Sequence, residues 1–381
     1  MSGVILPGAT IGVLGGGQLG RMFSQAAKRM GYRVYVFDPA DDPPAAQVSD
    51  AHTQADWDDD GALRAFAGAC DRVTLEWENI PLATARAVDE VTRLLPSPAI
   101  LEVAQDRARE KSFLAEIGCP LPDVRVVDSA DDFDKEPAWW DAKRVLKTSA
   151  AGYDGKGQLV VTTLDEAKAG FAELGRVRCV AEAWVPYERE VSVIVARGMD
   201  GAMSFYGPIW NRHANHILDV SVYPSGLSEA SSSAALGLAG RVAERLTLVG
   251  VLCVEMFVLG DGSLMVNELA PRPHNSGHLT IEACATSQFE QHLRAVAGLP
   301  LGDVGWRGPA GMVNLLGDLW VDGEPAWLDV VGEAGVSLHL YGKHDPRVGR
   351  KMGHLTALGA TASEAERCVV SARSKITGAG C

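Results

Sequence analysis

The sequence predicts a chain of mixed α/β and α+β architecture built from two or three domains. Strand and helix patterns alternate at the start, Pro96-Ser97-Pro98 interrupts them, and strand patterns dominate from Arg189 onward. The 381 residues suffice for that number of domains, since one domain averages roughly 150 residues.

The first strand–helix–strand unit predicts a parallel sheet. Thr10–Leu14 is a short β-branched run, and the glycine-rich segment Gly15–Gly20 follows it. Apolar residues then recur at helical spacing until Gly31, and Arg33–Phe37 is a second strand. Because two strands joined through a helix run parallel, this order predicts a parallel sheet.

The glycine-rich segment itself is typical of an anion site. Gly15, Gly17 and Gly20 match the G-x-G-x-x-G pattern, and Asp38 ends the following strand. This context favours a dinucleotide site, in which the aspartate binds a ribose. A helix N-terminus also binds other anions, such as a phosphorylated substrate, and a glycine turn can serve packing alone. The segment by itself leaves all three interpretations open.

Charge and cysteine content disfavour several classes of protein. The chain has 35 Lys and Arg against 49 Asp and Glu, a formal charge of −14, which argues against non-specific nucleic-acid binding. Its seven cysteines form no C-x-x-C pair, so we expect neither a disulfide framework nor a structural zinc site. No apolar stretch is long enough for a membrane span. We therefore expect a cytoplasmic protein that binds neither nucleic acid nor membrane.

A second glycine-rich segment is typical of phosphate binding. Lys147 lies on a predicted strand, and the segment from Gly152 to Gln158 combines glycines with Lys156. Backbone N–H groups of such loops wrap phosphate oxygens while a lysine neutralises their charge. The segment is not a Walker A loop, because Lys156 is followed by Gly157 rather than Ser or Thr. The alternative is a mobile surface hairpin.

A predicted hairpin places two glutamates on facing strands. Asp261-Gly262 is typical of a two-residue hairpin loop, and counting back from it places Glu255 opposite Glu268, with Cβ atoms roughly 5 Å apart. Like charges in that position destabilise a hairpin unless a proton or a cation lies between them. Mg²⁺ prefers such carboxylates together with phosphates. The alternative is a pair of solvated carboxylates.

Two further segments supply candidate residues. Arg272 and His274 follow the second glutamate closely; the arginine suits a phosphoryl or carboxylate group, and the histidine suits proton transfer. His278 lies four residues after His274, but without an H-E-x-x-H pattern we expect no zinc there. The basic run 343–354 fits a small anionic substrate, with a nucleic-acid patch or a solvated loop as alternatives.

Taken together, these segments resemble the ATP-grasp ligases, and within them the N5-carboxyaminoimidazole ribonucleotide synthase family. The motifs GYDGKGQ and APRPHNSGH are specific to this family. The matching segments follow one another along nearly the whole chain: GGGQLGRM (Gly15–Met22), EWEN (Glu76–Asn79), QDR (Gln105–Arg107) with Lys111, GYDGKGQ (Gly152–Gln158), NELAPRPHNSGH (Asn267–His278), MVNLLG (Met312–Gly317) and YGK…GRKMGH (Tyr341–His354).

The resemblance implies an ATP-grasp fold in three parts. A Rossmann-like pre-ATP-grasp domain would span 1–105, a lid and linker 106–188, and a C-terminal ATP-grasp domain 189–381, with a small β cap from about 310. It reassigns the first glycine segment from a dinucleotide to the substrate, so that Asp38 loses its predicted role.

The resemblance also implies residue roles. Mg²⁺ would bind Glu255 and Glu268, while Arg272, His274 and Lys351 would surround the reacting centre. The residues in contact with ATP would be Arg107, Lys147, Gly152, Tyr153, Asp154, Gly155, Lys156, Gly157, Gln158, Glu182, Ala183, Trp184, Val185, Glu190, His213, Asn267 and Glu268. Those in contact with the ribonucleotide would be Gln18, Leu19, Glu76, Tyr153, Lys343, Arg350 and Lys351.

The implied reaction consumes ATP, bicarbonate and 5-aminoimidazole ribonucleotide in de novo purine biosynthesis. Phosphorylation of bicarbonate gives carboxyphosphate, and the exocyclic amine attacks it, or carbon dioxide released from it, to form N5-carboxyaminoimidazole ribonucleotide. Closure of the glycine loop would exclude water from the intermediate. The resemblance also implies a homodimer. A biotin carrier is not expected, since the chain has no biotin-attachment motif.

Two residues depart from the family pattern. Ala270 stands where many ATP-grasp enzymes have Asn, and His216 stands where this family has Gly, so a positive φ there would strain the turn. Three other functions remain as alternatives: another ATP-grasp ligase acting on a purine precursor, such as the formate-dependent ligase for glycinamide ribonucleotide; an NAD-dependent dehydrogenase using Gly15–Gly20; and a non-catalytic nucleotide-binding regulator.

Overall fold

The computed structural model describes residues 3–150 and 157–376, and its N-terminal part is a small parallel sheet. The elements of this part are β1 (Thr10–Leu14), α1 (Gln18–Arg29), β2 (Arg33–Phe37), β3 (Ala51–Thr53), α2 (Asp60–Gly68), β4 (Arg72–Leu75), α3 (Leu82–Asp89) and α4 (Pro98–Ala104). The strands are parallel in the order β3-β2-β1-β4. The predicted parallel sheet is therefore correct, and β1 lies inside it with α1 at its carboxyl end.

A separate antiparallel sheet follows. Its elements are α5 (Arg107–Glu116), β5 (Val124–Val127), β6 (Arg144–Thr148), β7 (Gln158–Val161), α6 (Leu164–Glu173) and β8 (Cys179–Ala183). The strands lie in the order β5-β8-β6-β7, so β6 and β8 are neighbours at its centre. Phe133 packs between Trp140 and Phe171 of α6 in the buried core of this part of the chain. This small sheet carries Lys147 and Glu182 on adjacent strands.

The remainder of the chain forms one large antiparallel sheet. Its elements are β9 (Arg189–Arg197), β10 (Met203–Ala214), β11 (Ile217–Tyr223), α7 (Glu229–Arg245), β12 (Gly250–Val258), β13 (Leu264–Ala270), α8 (Thr280–Ala283), α9 (Gln288–Ala297), β14 (Ala310–Leu316), α10 (Leu328–Val331), β15 (Val336–Leu340), β16 (Lys351–Leu358) and α11 (Ala362–Ile376). Eight strands lie in the order β13-β12-β9-β10-β11-β14-β16-β15. The strands beyond residue 310 thus continue the sheet through the β11–β14 pairing. The predicted domain limits at 105 and 188 stay predictions.

A shared apolar cluster joins the N-terminal sheet to the large sheet. Leu19 and Phe23 of α1 pack with Phe289 and Leu293 of α9 and with Tyr341 after β15. These apolar side chains recur on one face of α1, as the helical spacing predicts. Each fully buried large apolar side chain contributes roughly 1.5–3 kcal/mol, so this cluster fixes α1 against the segment that begins the basic run.

The turn between β10 and β11 shows the predicted strain. Asn215 and His216 form a two-residue loop and both have positive φ, at 50° and 65°. A β-hairpin turn of this kind favours glycine or asparagine, because a Cβ atom is crowded in the left-handed region. His216 therefore adopts a conformation that the glycine usual in the family would adopt without strain.

Among the helices of the described residues, none combines the length and apolar character needed to cross a membrane.

Candidate functional site

β12 and β13 bring the two predicted metal ligands together. Glu255 pairs directly with Glu268 across the hairpin. The loop has three residues rather than two, with Gly262 in the left-handed region at φ 80°, and this shifts the register by one residue. A bulge at Asn267 shifts the register back. The predicted two-residue loop is wrong, but the predicted pairing is correct because the two departures cancel.

The two carboxylates have different environments. Oε1 of Glu255 lies 2.8 Å from Nε2 of His274. Burial would raise the pKa of Glu255, but His274 outweighs burial and lowers that pKa to about 2. The Glu268 side chain is exposed at its surface in the cleft. The protein around it nevertheless displaces much of the water that would stabilise its charge, and this desolvation, together with the charge on Glu255, raises the pKa of Glu268. A divalent cation relieves this kind of conflict, so the pair fits Mg²⁺.

Glu255 is also close to other potential ligands. Within the described residues, two groups of donor atoms lie within 4.8 Å of one another: Glu255 with Cys253 and His274, and Glu255 with Glu190 and His213. His213 Nδ1 lies 2.9 Å from Glu190 Oε2. Burial would lower the pKa of His213, but Glu190 outweighs burial and raises it. Glu255 is therefore the residue around which the acidic and imidazole groups converge.

A buried hydrogen-bond chain orients His274. Its Nδ1 lies 2.8 Å from Ser276 Oγ, which lies 2.8 Å from Ser192 Oγ. Asn211 donates from Nδ2 to Ser192 Oγ at 2.9 Å and accepts from Ser221 Oγ at 2.8 Å. The three serines are fully buried. Because a buried polar chain of this kind specifies one arrangement, the imidazole is held with Nε2 toward the hairpin.

Arg272 forms a bidentate ion pair with Glu78. Nη2 of the arginine donates to Oε1 at 2.6 Å, and Nε donates to Oε2. Burial would raise the pKa of Glu78, but Arg272 lowers it; Glu78 in turn raises the pKa of Arg272 against the effect of burial. The pair fixes a guanidinium beside the carboxylates of the hairpin, where a planar anion can bind.

The first glycine turn binds carboxylates of the protein itself. Glu76 accepts from the N–H groups of Gly17 at 2.9 Å and Gly20 at 3.1 Å, and Asp38 accepts from Gly16 N–H at 2.7 Å. Burial raises the pKa of Glu76. A dinucleotide needs the same N–H groups for its pyrophosphate and the aspartate for its ribose. The geometry therefore argues against the dinucleotide interpretation.

Lys147 and Glu182 form the charged centre of the small sheet. Nζ of Lys147 lies 2.9 Å from Oε2 of Glu182, and Nζ of Lys111 lies 3.3 Å from Oε1. Burial would raise the pKa of Glu182, but the two lysines outweigh burial and lower it to about 2. Arg107, the first residue of α5, donates to the carbonyl oxygen of Thr148 at 3.0 Å. The positive charges of Arg107 and Lys147 oppose the rise in the pKa of Glu268, so these cations lie near the hairpin.

The segment after β8 leads into the large sheet. The Lys143 ammonium lies 3.2 Å from the ring centre of Trp184, which stays partly exposed. Ala183 ends β8, Val185 follows the tryptophan, and Gln158 begins β7 directly opposite Lys147. The five loop residues Gly152, Tyr153, Asp154, Gly155 and Lys156 lie outside the described residues, and Gly157 closes that loop at φ 71°.

The basic run docks on the N-terminal sheet. Gln47 donates to the carbonyl oxygen of Gly342 at 2.9 Å, and also accepts from Arg21, one turn along α1 from Gln18. Lys343 donates to the carbonyl oxygen of Lys351 at 2.7 Å. Arg350 donates to the carbonyl oxygen of Asp345 at 2.8 Å. Lys343 and Arg350 thus lie on the loop before β16, Lys351 begins β16, and the start of this loop contacts the part of the chain around α1.

Sequence reasoning missed several residues of this cleft. Glu78 lies in the EWEN segment, but nothing local shows that it pairs with Arg272 from a distant part of the chain. Ser192 and Ser276 look like ordinary polar residues until strand pairing brings them together. Glu110 was missed as well, whereas Lys111 stood in a matching segment without an assigned role. The role of a buried charged residue can be recognised only when the position of its partner is known.

The two sheets and the cleft between them define an ATP-grasp ligase, with cations on the small sheet facing a carboxylate hairpin on the large one. Three family models match in the order predicted from the sequence. They are a ribonucleotide synthetase preATP-grasp domain over residues 8–105, an ATP-grasp domain over 112–289 and a phosphoribosylaminoimidazole carboxylase C-terminal domain over 310–368. The predicted fold class is thus confirmed.

Several named relatives of this chain carry the same enzyme name. The N5-carboxyaminoimidazole ribonucleotide synthase of Brucella melitensis is 44% identical, over 92% of this chain and 97% of its own length. A crystal structure of an N5-carboxyaminoimidazole ribonucleotide synthetase in complex with ADP has a TM-score of 0.91 and 40% identity, covering 98% of each chain. The Aspergillus clavatus enzyme in complex with ADP and 5-aminoimidazole ribonucleotide has a TM-score of 0.88 and 32% identity, over 97% of this chain and 98% of its own. The chain belongs to the N5-carboxyaminoimidazole ribonucleotide synthase family.

Proposed function

We propose that this chain uses ATP to carboxylate 5-aminoimidazole ribonucleotide with bicarbonate, forming N5-carboxyaminoimidazole ribonucleotide, ADP and phosphate in purine biosynthesis. The observation that carries the proposal is the set of charges around the hairpin. The guanidinium of Arg272 helps to lower the pKa of Glu255, and the ammonium of Lys147 opposes the rise in the pKa of Glu268. Cations close to a carboxylate pair suit a nucleotide triphosphate and a second anion held in one cleft.

Mg²⁺ is part of this proposal, with Glu255 and Glu268 as its protein ligands. The fit is supported by two facing carboxylates, and the pKa of Glu268 is raised by burial and by the charge on Glu255. When bound, the ion would neutralise phosphate charge in the transferring group. Lys147 and Arg107, whose charges act on Glu268, would bind the phosphates of ATP. His274 contacts Glu255 directly, so metal binding would compete with that ion pair.

Bicarbonate is a poor electrophile and needs activation. Transfer of the γ-phosphoryl group to a bicarbonate oxygen forms an O–P bond, breaks the bond to ADP and yields carboxyphosphate. The Arg272 guanidinium, held by Glu78, would bind the planar bicarbonate and stabilise its developing charge. The amine then either attacks the carboxyl carbon of carboxyphosphate and displaces inorganic phosphate, or attacks carbon dioxide after phosphate has left; in both routes the amine loses one proton, which the released phosphate can accept. We place His274 and Lys351 beside this centre.

The ribonucleotide would bind between the glycine turn and the basic loop. Lys343, Arg350 and Lys351 supply cations for its phosphate, and Gln18 with Glu76 lies at the adjacent turn. Leu19 is nearly buried in the apolar cluster, so its contribution would come from the backbone. Tyr153 remains a prediction, as do the homodimer and the cytoplasmic location.

The experiment that tests the proposal measures ADP release from ATP and Mg²⁺, with bicarbonate and 5-aminoimidazole ribonucleotide present or omitted. We expect full turnover only when both are present. Replacing Glu268 with Gln should lower kcat by about a hundredfold or more, as for loss of one electrostatic group at a reacting phosphate. Glu173→Gln, on the exposed surface of α6, is the control and should retain turnover. ADP release at the same rate with and without the ribonucleotide, or a kcat of E268Q equal to that of the wild type, would contradict the proposal.

A further inference from the structure

The β12–β13 hairpin, which carries Glu255 and Glu268, lies at an edge of the large sheet, and α5 covers that edge. β13 is the outermost strand, so its outward N–H and C=O groups need partners from outside the sheet. Glu110 accepts from Leu269 N–H through Oε1 at 2.7 Å. Lys111 donates to the carbonyl oxygen of Asn267 at 2.5 Å. Two consecutive residues of α5 therefore hold the backbone on both sides of Glu268.

Lys111 makes a second contact that reaches the small sheet. Its Nζ lies 3.3 Å from Oε1 of Glu182, whose other oxygen binds Lys147 at 2.9 Å. Lys111 and Glu182 are each only 4% exposed at the side chain. The buried ammonium group of Lys111 thus connects the bulge of β13 with Glu182 of β8, which in turn binds Lys147 of β6.

We infer that Lys111 and Glu110 are positioning residues for the metal–nucleotide complex. The bulge at Asn267 is what restores Glu268 to its place opposite Glu255, and Lys111 binds the carbonyl oxygen of that bulged residue. Without this bond, the bulge can move along the edge strand and carry Glu268 out of register. Glu110 secures the next N–H group. The inference rests on the proposed role of Glu268 as a metal ligand.

The alternative is that Lys111 only neutralises Glu182. In that case the loss of Lys111 would destabilise the fold, and it would weaken nucleotide binding by the same factor with and without Mg²⁺. The positioning role predicts a loss confined to the metal-dependent part of nucleotide affinity, since groups that orient metal ligands typically alter metal affinity 10–100-fold. Equilibrium binding separates the two outcomes without any turnover.

The test measures the dissociation constant of ADP by calorimetry, with and without Mg²⁺, for the full-length protein and for K111M. We expect K111M to weaken ADP binding about tenfold or more in Mg²⁺ and less than about threefold without it. Arg109→Gln is the matched control, because Arg109 lies on the same helix, is exposed and pairs with exposed Glu102. The control should match the wild type. Equal losses with and without Mg²⁺, or no loss, would overturn the inference.

A second pair of variants covers the case in which K111M does not fold. Glu110→Gln keeps an oxygen that accepts from Leu269 N–H, whereas Glu110→Leu removes the acceptor. We expect E110Q to bind Mg²⁺–ADP within about threefold of the wild type and E110L about tenfold more weakly. The same affinity for both variants would overturn the inference. Because these readouts are binding constants, they stand apart from the failure of the proposed reaction, which ADP release tests.

Discussion

Arg272 is held in the cleft by its ion pair with Glu78, and that pair is largely shielded from water. Removing one member of such a pair leaves an uncompensated charge. We expect Glu78→Gln to destabilise the protein by about 2 kcal/mol and to lower kcat more than it raises KM for ATP. Urea unfolding and steady-state kinetics measure the two effects.

The control for this prediction is Glu102→Gln. Glu102 pairs with Arg86 and Arg109 on the surface, where ion pairs contribute about 0–1 kcal/mol. E102Q should therefore resemble the wild type in both measurements. If E78Q retained full turnover, Arg272 would not depend on Glu78 for its position.

Glu182 should make the stability of the fold depend on pH in the acid range. Its pKa is lowered from 4.5 to about 2, so its contribution is present above the unfolded pKa and is lost as pH falls toward 2. Between pH 5 and pH 3 we expect the wild type to lose about 2 kcal/mol more than E182Q in free energy of unfolding. Glu173→Gln should follow the wild-type slope, and parallel curves for wild type and E182Q would contradict the assignment.

The residue types that carry charge were predictable from the sequence, but their partners were not. Glu255, Glu268, Arg272 and Lys147 stand in recognisable patterns. Glu78 reaches Arg272 across 194 positions of the chain. Such pairing depends on how two separate sheets meet, and no local pattern records it.

The hairpin illustrates the same limit for an element. Its two strands and the facing glutamates follow from the sequence, because the glycine-rich turn between apolar runs is a local signal. The loop length and the bulge do not, because they involve distant residues: Gly262 of the loop accepts from Ser231 of α7, and Asn267 of the bulge accepts from Lys111 of α5. The predicted pairing of Glu255 with Glu268 is correct only because these two departures offset each other.

The β10–β11 turn offers a stability test at the level of an element. A non-glycine residue in the left-handed region costs roughly 1–2 kcal/mol, and a glycine costs about 0.5–1 kcal/mol of entropy. We therefore expect His216→Gly to raise the free energy of unfolding by about 0.5 kcal/mol. Ala214→Gly, on the adjacent strand, should lower it by a similar amount. A less stable H216G would show that His216 makes contacts that offset its strain.

The whole molecule depends on pairings between distant segments. Val220 of β11 pairs with Val313 of β14, and this link extends the sheet from the β12–β13 hairpin to β16, which carries Lys351. The sequence predicts the strands beyond residue 310 but not that they continue the same sheet. Strand order in an antiparallel sheet is set by which faces can be buried together, and that is a property of the complete fold.

In the proposed reaction, ATP activates bicarbonate by phosphorylating one of its oxygens. The measurement that follows this oxygen supplies ¹⁸O-labelled bicarbonate, with ATP, Mg²⁺ and 5-aminoimidazole ribonucleotide, in reactions shorter than the exchange of label with water. We expect ¹⁸O in the inorganic phosphate, because breakdown of carboxyphosphate leaves the bridging oxygen on phosphorus. ADP formed together with unlabelled phosphate would contradict the proposed reaction.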